Sequence, residues 1–414
     1  MRVVTPERTR AFLFSLVIVL SGCGVASAPT PGQAQASQTA DVTATSAFAT
    51  TDRPLAPPVI PRPTPDLNRA RFSTAGWKTD FTTATVPFDE ISSGGPPRDG
   101  IPPLDKPIFT TVAQADGWLT SVEPVIELRV GADARAYPLQ VMIGHEIAND
   151  EIGGVPVSVT FCPLCNTAIA FDRRLDGRVL DFGTTGNLRH SDLVMWDRQT
   201  ESWWQQITGE AIVGQLTGKR LTVLPATIVS WAEFKARDPD GKVLARETGF
   251  NRSYGSNPYV GYDRIDQPPF LFQGKLDGRL PPMERVVVLE VGEEAVAYPF
   301  RVLRQRRIIT DSVAGGPLVV LYQPGTASAL DAPEIARSRD IGAAGVFRPE
   351  VDGRILSFEW RNDTFVDRET GSRWSVLGKA VEGPLSGKRL EAVVHLTPFW
   401  FAWAAFKPET RVAN

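Results

Sequence analysis

Cys162 and Cys165 stand three positions apart, and His145 precedes them. A Cys-x-x-Cys pair closing a strand puts two sulfurs on one side of a tight turn, a bite that suits zinc, copper or an iron–sulfur centre. A neutral imidazole supplies a third ligand, and Met195, Glu146, Asp192 or water a fourth. Cys162, Cys165, His145 and Met195 together form a soft set, so copper is the expected ion, with zinc or no metal as alternatives. A methionine in an apolar strand ordinarily packs in a core, which is the competing role for Met195. The same thiols suit a second function, a thiol–disulfide oxidoreductase cycling Cys162 and Cys165. A third reading is a structural cell-surface module without chemistry, its two cysteines bridged, although so short a loop gains little from closure. Metal handling or electron transfer heads these readings.

These side chains need elements to hold them. Residues 157–161, Val-Ser-Val-Thr-Phe, are β-branched and apolar, which predicts a strand delivering Cys162. Residues 168–173 predict a second strand, so no helix N-terminus follows the cysteines to depress a thiol pKa. Hairpins are predicted to turn at Gly131-Ala132-Asp133, at Asp176-Gly177 and around 197–200. A short helical piece over 139–149 carries His145, and a helix over 228–237 stops at Asp238-Pro239-Asp240-Gly241. The expected fold class is α+β, strand-dominated.

The chain also resembles itself. Tyr137-Pro138 matches Tyr298-Pro299, and at the same offset Asp150 matches Asp311. Later, Asp176-Gly177-Arg178 meets Asp352-Gly353-Arg354, Asp197-Arg198 meets Asp367-Arg368, and Gly218-Lys219-Arg220-Leu221 meets Gly387-Lys388-Arg389-Leu390. A period this long means a duplicated domain rather than a solenoid, so two tandem copies of one β-rich domain are expected over 118–262 and 263–414. Features in both copies, such as Tyr137/Tyr298, Arg198/Arg368 and Trp204/Trp374, read as scaffold. His145, Cys162 and Cys165 align with Arg306, Gln323 and Thr326. Three residues lost together are what one shared site would show.

Upstream, Arg2, Arg8 and Arg10 precede an apolar run over 11–20 and Leu20-Ser21-Gly22-Cys23. Residues 1–23 therefore read as a lipoprotein signal peptide with its lipobox, Cys23 being the acylated residue. Residues 24–71, rich in Ala, Thr, Ser, Pro and Gln, read as a disordered tether, and 72–117 as an irregular lead-in. The expected location is extracytoplasmic, on the periplasmic or cell-surface side, and the expected partner is the membrane, held through the lipid anchor. A net charge of -3 argues against nucleic acid. With Cys23 acylated, Cys162 and Cys165 are the remaining cysteines.

The chain resembles the bacterial DUF3179 family through Tyr137-Pro138, His145-Glu146, Asn149-Asp150, Phe161-Cys162-Pro163-Leu164-Cys165, Phe171-Asp172-Arg173, Phe182-Gly183, Ser191-Asp192-Leu193 and Tyr254-Gly255. The resemblance covers the first copy closely and the second faintly. It implies a family that is functionally uncharacterised, and so no mechanism. Asn166 stands where that family often has Gly, and His190 where Asn is expected, which makes His190 a minor candidate for a shared site. His395 has no cluster near it in sequence and reads as core or surface. Asn251, Arg252, Tyr254, Asn257 and Tyr259 form a polar-aromatic loop suited to rimming a site.

Overall fold

The computed structural model describes residues 64–413. The expected signal peptide, Cys23 and most of the expected tether lie outside the described residues. At the tether's end, Leu67–Arg69 forms one 3-10 turn and Arg71 bridges Ser92.

The fold is mixed α+β and strand-dominated. The lead-in contributes β1 (Ile91–Ser93), β2 (Leu104–Asp105), β3 (Phe109–Thr111) and α1 (Val112–Ala115). The hairpin of β4 (Pro124–Val130) and β5 (Asp133–Pro138) runs into α2 (Leu139–Met142). Then β6 (Ile147–Ile152), β7 (Val155–Cys162) and β8 (Thr167–Asp172) form a meander, and β9 (Arg174–Leu175) and β10 (Arg178–Val179) a small hairpin. β11 (Phe182–Arg189), β12 (Asp192–Asp197), β13 (Trp203–Gln205) and β14 (Glu210–Val213) follow. β15 (Thr222–Leu224), β16 (Ala226–Ser230), α3 (Trp231–Arg237) and β17 (Lys242–Leu244) close the first half. Its sheets run β16-β4-β5-β17-β3, β15-β8-β7-β6-β2 and β1-β11-β12-β13-β14. The stretch 72–117 thus supplies an edge strand to each of three sheets, covering groups that would otherwise lie open for pairing.

The second half begins with β18 (Val286–Val291), β19 (Glu294–Pro299), α4 (Phe300–Arg306), β20 (Ile308–Val313), β21 (Gly316–Gln323) and β22 (Ala343–Arg348). A hairpin of β23 (Glu350–Val351) and β24 (Arg354–Ile355) leads to β25 (Phe358–Arg361), β26 (Thr364–Asp367), β27 (Arg373–Trp374) and β28 (Ala380–Glu382). β29 (Glu391–Ala392), α5 (Trp400–Ala404) and β30 (Arg411–Val412) end it. The sheet orders β18-β19-β30, β20-β21-β22-β29 and β25-β26-β27-β28 follow those of β4-β5-β17, β6-β7-β8-β15 and β11-β12-β13-β14 strand for strand.

Residues assigned to scaffold make the same bonds in both halves. Tyr137 donates to Asp150 at 2.6 Å, and Tyr298 to Asp311 at 2.7 Å. The Trp204 indole donates to Asp197 at 2.9 Å, and Trp374 to Asp367 at 2.8 Å. Buried phenol and indole N–H groups need such acceptors. Arg198 and Arg368 differ, reaching Asp105 and Glu359 respectively.

Two boundaries depart from the sequence reading. The helix expected over 228–237 begins at Trp231, because Thr227, Ile228 and Val229 pair with β4 and Ser230 caps the helix by accepting from the Glu233 amide. The helical piece expected over 139–149 is the single turn of α2, and Ile147 already starts β6.

The strand that delivers Cys162 lies mid-sheet between β6 and β8, with Val157, Val159 and Phe161 at 0% exposure. Burial on that scale stabilises by about 1.5–3 kcal/mol per side chain. One core cluster joins Phe161, Cys162 and Cys165 to Met283, Val288, Phe399 and Trp400 of the second half.

Candidate metal centre

Cys162 is the last residue of β7, paired with Thr167 of β8, and a four-residue loop joins the two strands. The Asn166 amide closes the loop on the Pro163 carbonyl at 3.2 Å. Asn166 has a φ of 55°, the left-handed region that glycine and asparagine tolerate best. That requirement explains an Asn at a position where Gly would serve. Its side-chain amide donates to the Thr397 carbonyl at 2.8 Å, and the Phe399 amide donates to the Cys165 carbonyl at 2.9 Å. The second half therefore buttresses the cysteine loop directly.

A second hairpin brings the third group. His190 and Ser191, with φ of 52° and 67°, form a two-residue turn of the type that matches strand twist. Asp192 then opens β12 facing the thiols. Cys162, Cys165 and Asp192 are buried and each offers a ligand atom within 4.8 Å of the others. Neither thiol is in a disulfide. The Asp192 Oδ2 accepts from Gln205 Nε2 at 2.6 Å and from the Ile207 amide at 2.9 Å. Its Oδ1 is buried without a hydrogen-bond partner. A buried carboxylate oxygen left unpaired beside two thiols is a costly arrangement that a cation would relieve.

Burial pushes the Asp192 carboxyl up to about 7, against the opposing pull of the Ile207 and Gln205 hydrogen bonds. Burial also holds the Cys165 thiol well above its ordinary range, and the Cys162 thiol and Asp192 add to this. Beside them, burial and then the Asp192 charge raise Glu146 to about 8. In the absence of a cation the pocket therefore prefers to keep its protons, and a bound metal would displace them.

The expected convergence of His145 on the thiols is not what the structure assembles. His145 Nδ1 donates to the Pro102 carbonyl at 2.8 Å, and Nε2 accepts from the Tyr254 hydroxyl at 2.6 Å. Burial lowers its pKa, in keeping with a neutral ring. Its position has a geometric cause. Ile147 pairs with Thr160, so a continued ladder would set His145 opposite Cys162. Glu146, at a φ of 60°, leaves the extended conformation and turns the chain away. Met195 lies three residues beyond Asp192 on β12, hence on the other face of the strand, buried opposite Trp204. His190 sits near Glu90, with 3.4 Å between Nε2 and Oε2, and His395 is buried against the Val393 and Ala344 carbonyls.

Residues 245–285, between β17 and β18, form no helix or strand and pass over the cysteine loop. Irregular segments of this length are uncommon inside compact domains. Tyr254 holds His145. Tyr262 donates to the Leu164 carbonyl between the two cysteines at 3.0 Å, and Ser191 donates to the Phe270 carbonyl at 2.5 Å. The Tyr259 phenol is pushed up by burial and by Glu146 and Cys162. Of the loop residues singled out in the sequence, Tyr259 lies beside the site, whereas Tyr254 is engaged by His145 and Asn257 binds the Ala332 and Pro333 carbonyls. Sequence reading ranked Asp192 only among four options for a fourth ligand and passed over Tyr262. Tyr262 lies in no local motif, whereas Asp192 lies in Ser191-Asp192-Leu193, a stretch of the family resemblance that could have singled it out.

A family model described as a protein of unknown function, DUF3179, matches residues 98–410. No curated protein and no solved structure matches the chain.

Proposed function

This chain belongs to the DUF3179 family, and we propose that its first half binds a transition-metal ion through Cys162, Cys165 and Asp192. The observation that carries this reading is the unpartnered, buried Oδ1 of Asp192 facing two free thiols. Two thiolates and a carboxylate suit a late first-row ion, and three protein ligands leave a position open for transfer or reaction. The sulfur pair keeps copper in the reading, while the carboxylate admits zinc. Copper(I) held by sulfur alone would survive Asp192→Asn, whereas zinc would be lost. The test is metal analysis of protein purified under reducing conditions. One ion per chain, absent from Cys162→Ser and Cys165→Ser and retained in His145→Gln and Met195→Leu, is expected. A protein that takes up no metal overturns the reading.

A second reading draws on one further observation. The Cys165 thiol lies beside a carboxyl whose pKa is near neutral, so Asp192 can accept its proton as its sulfur attacks a mixed disulfide on Cys162 and expels the partner thiolate. A metal-free protein with a reversible Cys162–Cys165 disulfide supports that oxidoreductase. We also propose that Cys23 is lipidated and anchors the protein outside the cytoplasm, on the strength of Leu20-Ser21-Gly22-Cys23. Among the described residues no helix is long and apolar enough to cross a membrane. Release of Cys23→Ser from the membrane fraction tests the anchor. The two halves, 118–262 and 263–414, are proposed to be copies of one domain, a reading supported by the matched strand orders and by the paired Tyr–Asp and Trp–Asp bonds.

A further inference from the structure

A cavity of about 440 Å³ opens in the second half, formed by the segment around Asp263, the residues leading into β18, and α4. Arg264, Arg285, Arg301, Arg304 and Arg339 line it, against the carboxylates of Asp263, Asp266 and Glu284. Five guanidinium groups face three carboxylates, and Arg339 is also paired with Asp331 at 2.8 Å, which leaves an excess of one positive charge.

The excess can be located. Asp263 is buried and shared, accepting from Arg285 at 2.7 Å, Arg339 at 2.8 Å and Ser328 at 2.5 Å. Arg264 is engaged by Asp266, and Glu284 accepts from the Arg301 backbone amide. The side chains of Arg301 and Arg304 have no carboxylate within ion-pair distance among the described residues. Arg285 is buried, and its Nε has no acceptor. Met283, Phe300 and Ile341 give the same cavity an apolar wall.

Comparison of the halves separates this arrangement from scaffold. After the shared Tyr-Pro, α4 aligns with α2, so Arg301 and Arg304 stand where the first half has Gln140 and Ile143, and Arg285 stands where it has Pro124. Glu284, by contrast, keeps its counterpart Glu123. Three arginines gained together around one cavity, on a shared backbone, mark a site peculiar to the second half.

We propose that this cavity binds a small molecule carrying an oxyanion, phosphate or carboxylate, on an apolar body, with Arg285, Arg301 and Arg304 receiving the oxyanion. Guanidinium forks match both anions in geometry, and a concave, partly apolar pocket of this size suits a ligand rather than an ion alone. The site is independent of the metal reading. It is nonetheless adjacent to the cysteine loop: Arg285 packs over the Phe399 ring, whose amide holds Cys165, and Asp263 follows Tyr262, which holds Leu164.

Calorimetric titration of the purified chain with phenyl phosphate and with inorganic phosphate tests this. One phenyl phosphate per chain is expected, bound more tightly than inorganic phosphate and more weakly as salt rises. The Arg301→Ala/Arg304→Ala double variant should lose at least roughly tenfold in affinity, the scale of losing a charge-assisted hydrogen bond. Arg178→Ala/Arg354→Ala removes the same charge from exposed positions and should bind as the parent does. Vesicles of phosphatidylglycerol form a second arm. Loss of vesicle binding in the double variant alone would place the oxyanion on a lipid headgroup; phenyl phosphate binding without it would place it on a soluble molecule. Equal affinity of the parent and the double variant for every probe, or no binding by either, overturns the proposal.

Discussion

Asp192→Asn gives the sharpest test of the candidate centre, because the stability it gains in the metal-free protein should shrink markedly when metal is added. In the metal-free protein the Asp192 carboxyl is raised from its ordinary 3.8 to about 7, chiefly by burial. Below the unfolded value both states hold the proton, and folding pays nothing for the group. As pH rises from there, the unfolded state ionises first and stability falls, until the folded carboxyl also ionises near 7. Three units at 1.36 kcal/mol each make the full penalty about 4 kcal/mol by about pH 8. Asparagine carries no such penalty, and its carbonyl can still accept from Gln205 and Ile207. Urea titration with chelator and reductant should therefore show the variant gaining on the parent with rising pH, from near parity at about pH 4 to about 4 kcal/mol at about pH 8. Glu146, raised partly by the Asp192 charge, should titrate lower in the variant. Zinc at about a hundredfold excess over its dissociation constant should then stabilise the parent by about 2.7 kcal/mol and the variant far less. A parent–variant difference that is flat with pH, or equal stabilisation of both by zinc, would refute the reasoning.

Other consequences concern the elements that hold the site. Asn166→Gly loses the Thr397 bond alone and should cost about 1 kcal/mol, whereas Asn166→Val should cost more than about 2 kcal/mol, since a β-branched residue also resists a φ of 55°. Urea midpoints distinguish the two. Trp204→Phe and Trp374→Phe should each cost about 1.5–3 kcal/mol by removing a buried donor from Asp197 and Asp367, which keep their bonds to Thr200 and Thr370, and similar losses in both would support a shared scaffold role. Tyr254→Phe removes the donor to His145 Nε2, so the imidazole should protonate more readily, its pKa by NMR moving up toward the ordinary range, with metal content unchanged. A fall in metal content would return His145 to the site.

Much of the local architecture was legible because it rests on neighbours in sequence. The strand into Cys162, the strand after Cys165, and the turns at Asp176-Gly177 and after Gly131 follow from β-branched runs and turn residues. Tyr137/Tyr298 and Trp204/Trp374 were legible as scaffold because each recurs in both halves, while the carboxylates they bond emerge from the fold. The helix start was misjudged at 228 because Ile228 and Val229 also suit a strand, and pairing with β4 decides for the strand.

Two cysteines three apart at the end of a β-branched run already imply a pair of sulfurs on one side of a tight turn, because strand and spacing are local properties. Which third group faces them follows from how the sheets pack. A single left-handed residue, Glu146, turns His145 out of a ladder that would have set it across from Cys162. A two-residue turn from a different sheet brings in Asp192 instead. Such long-range placement depends on how sheets pack and on a 41-residue strap that forms neither helix nor strand, and no short-range pattern encodes either.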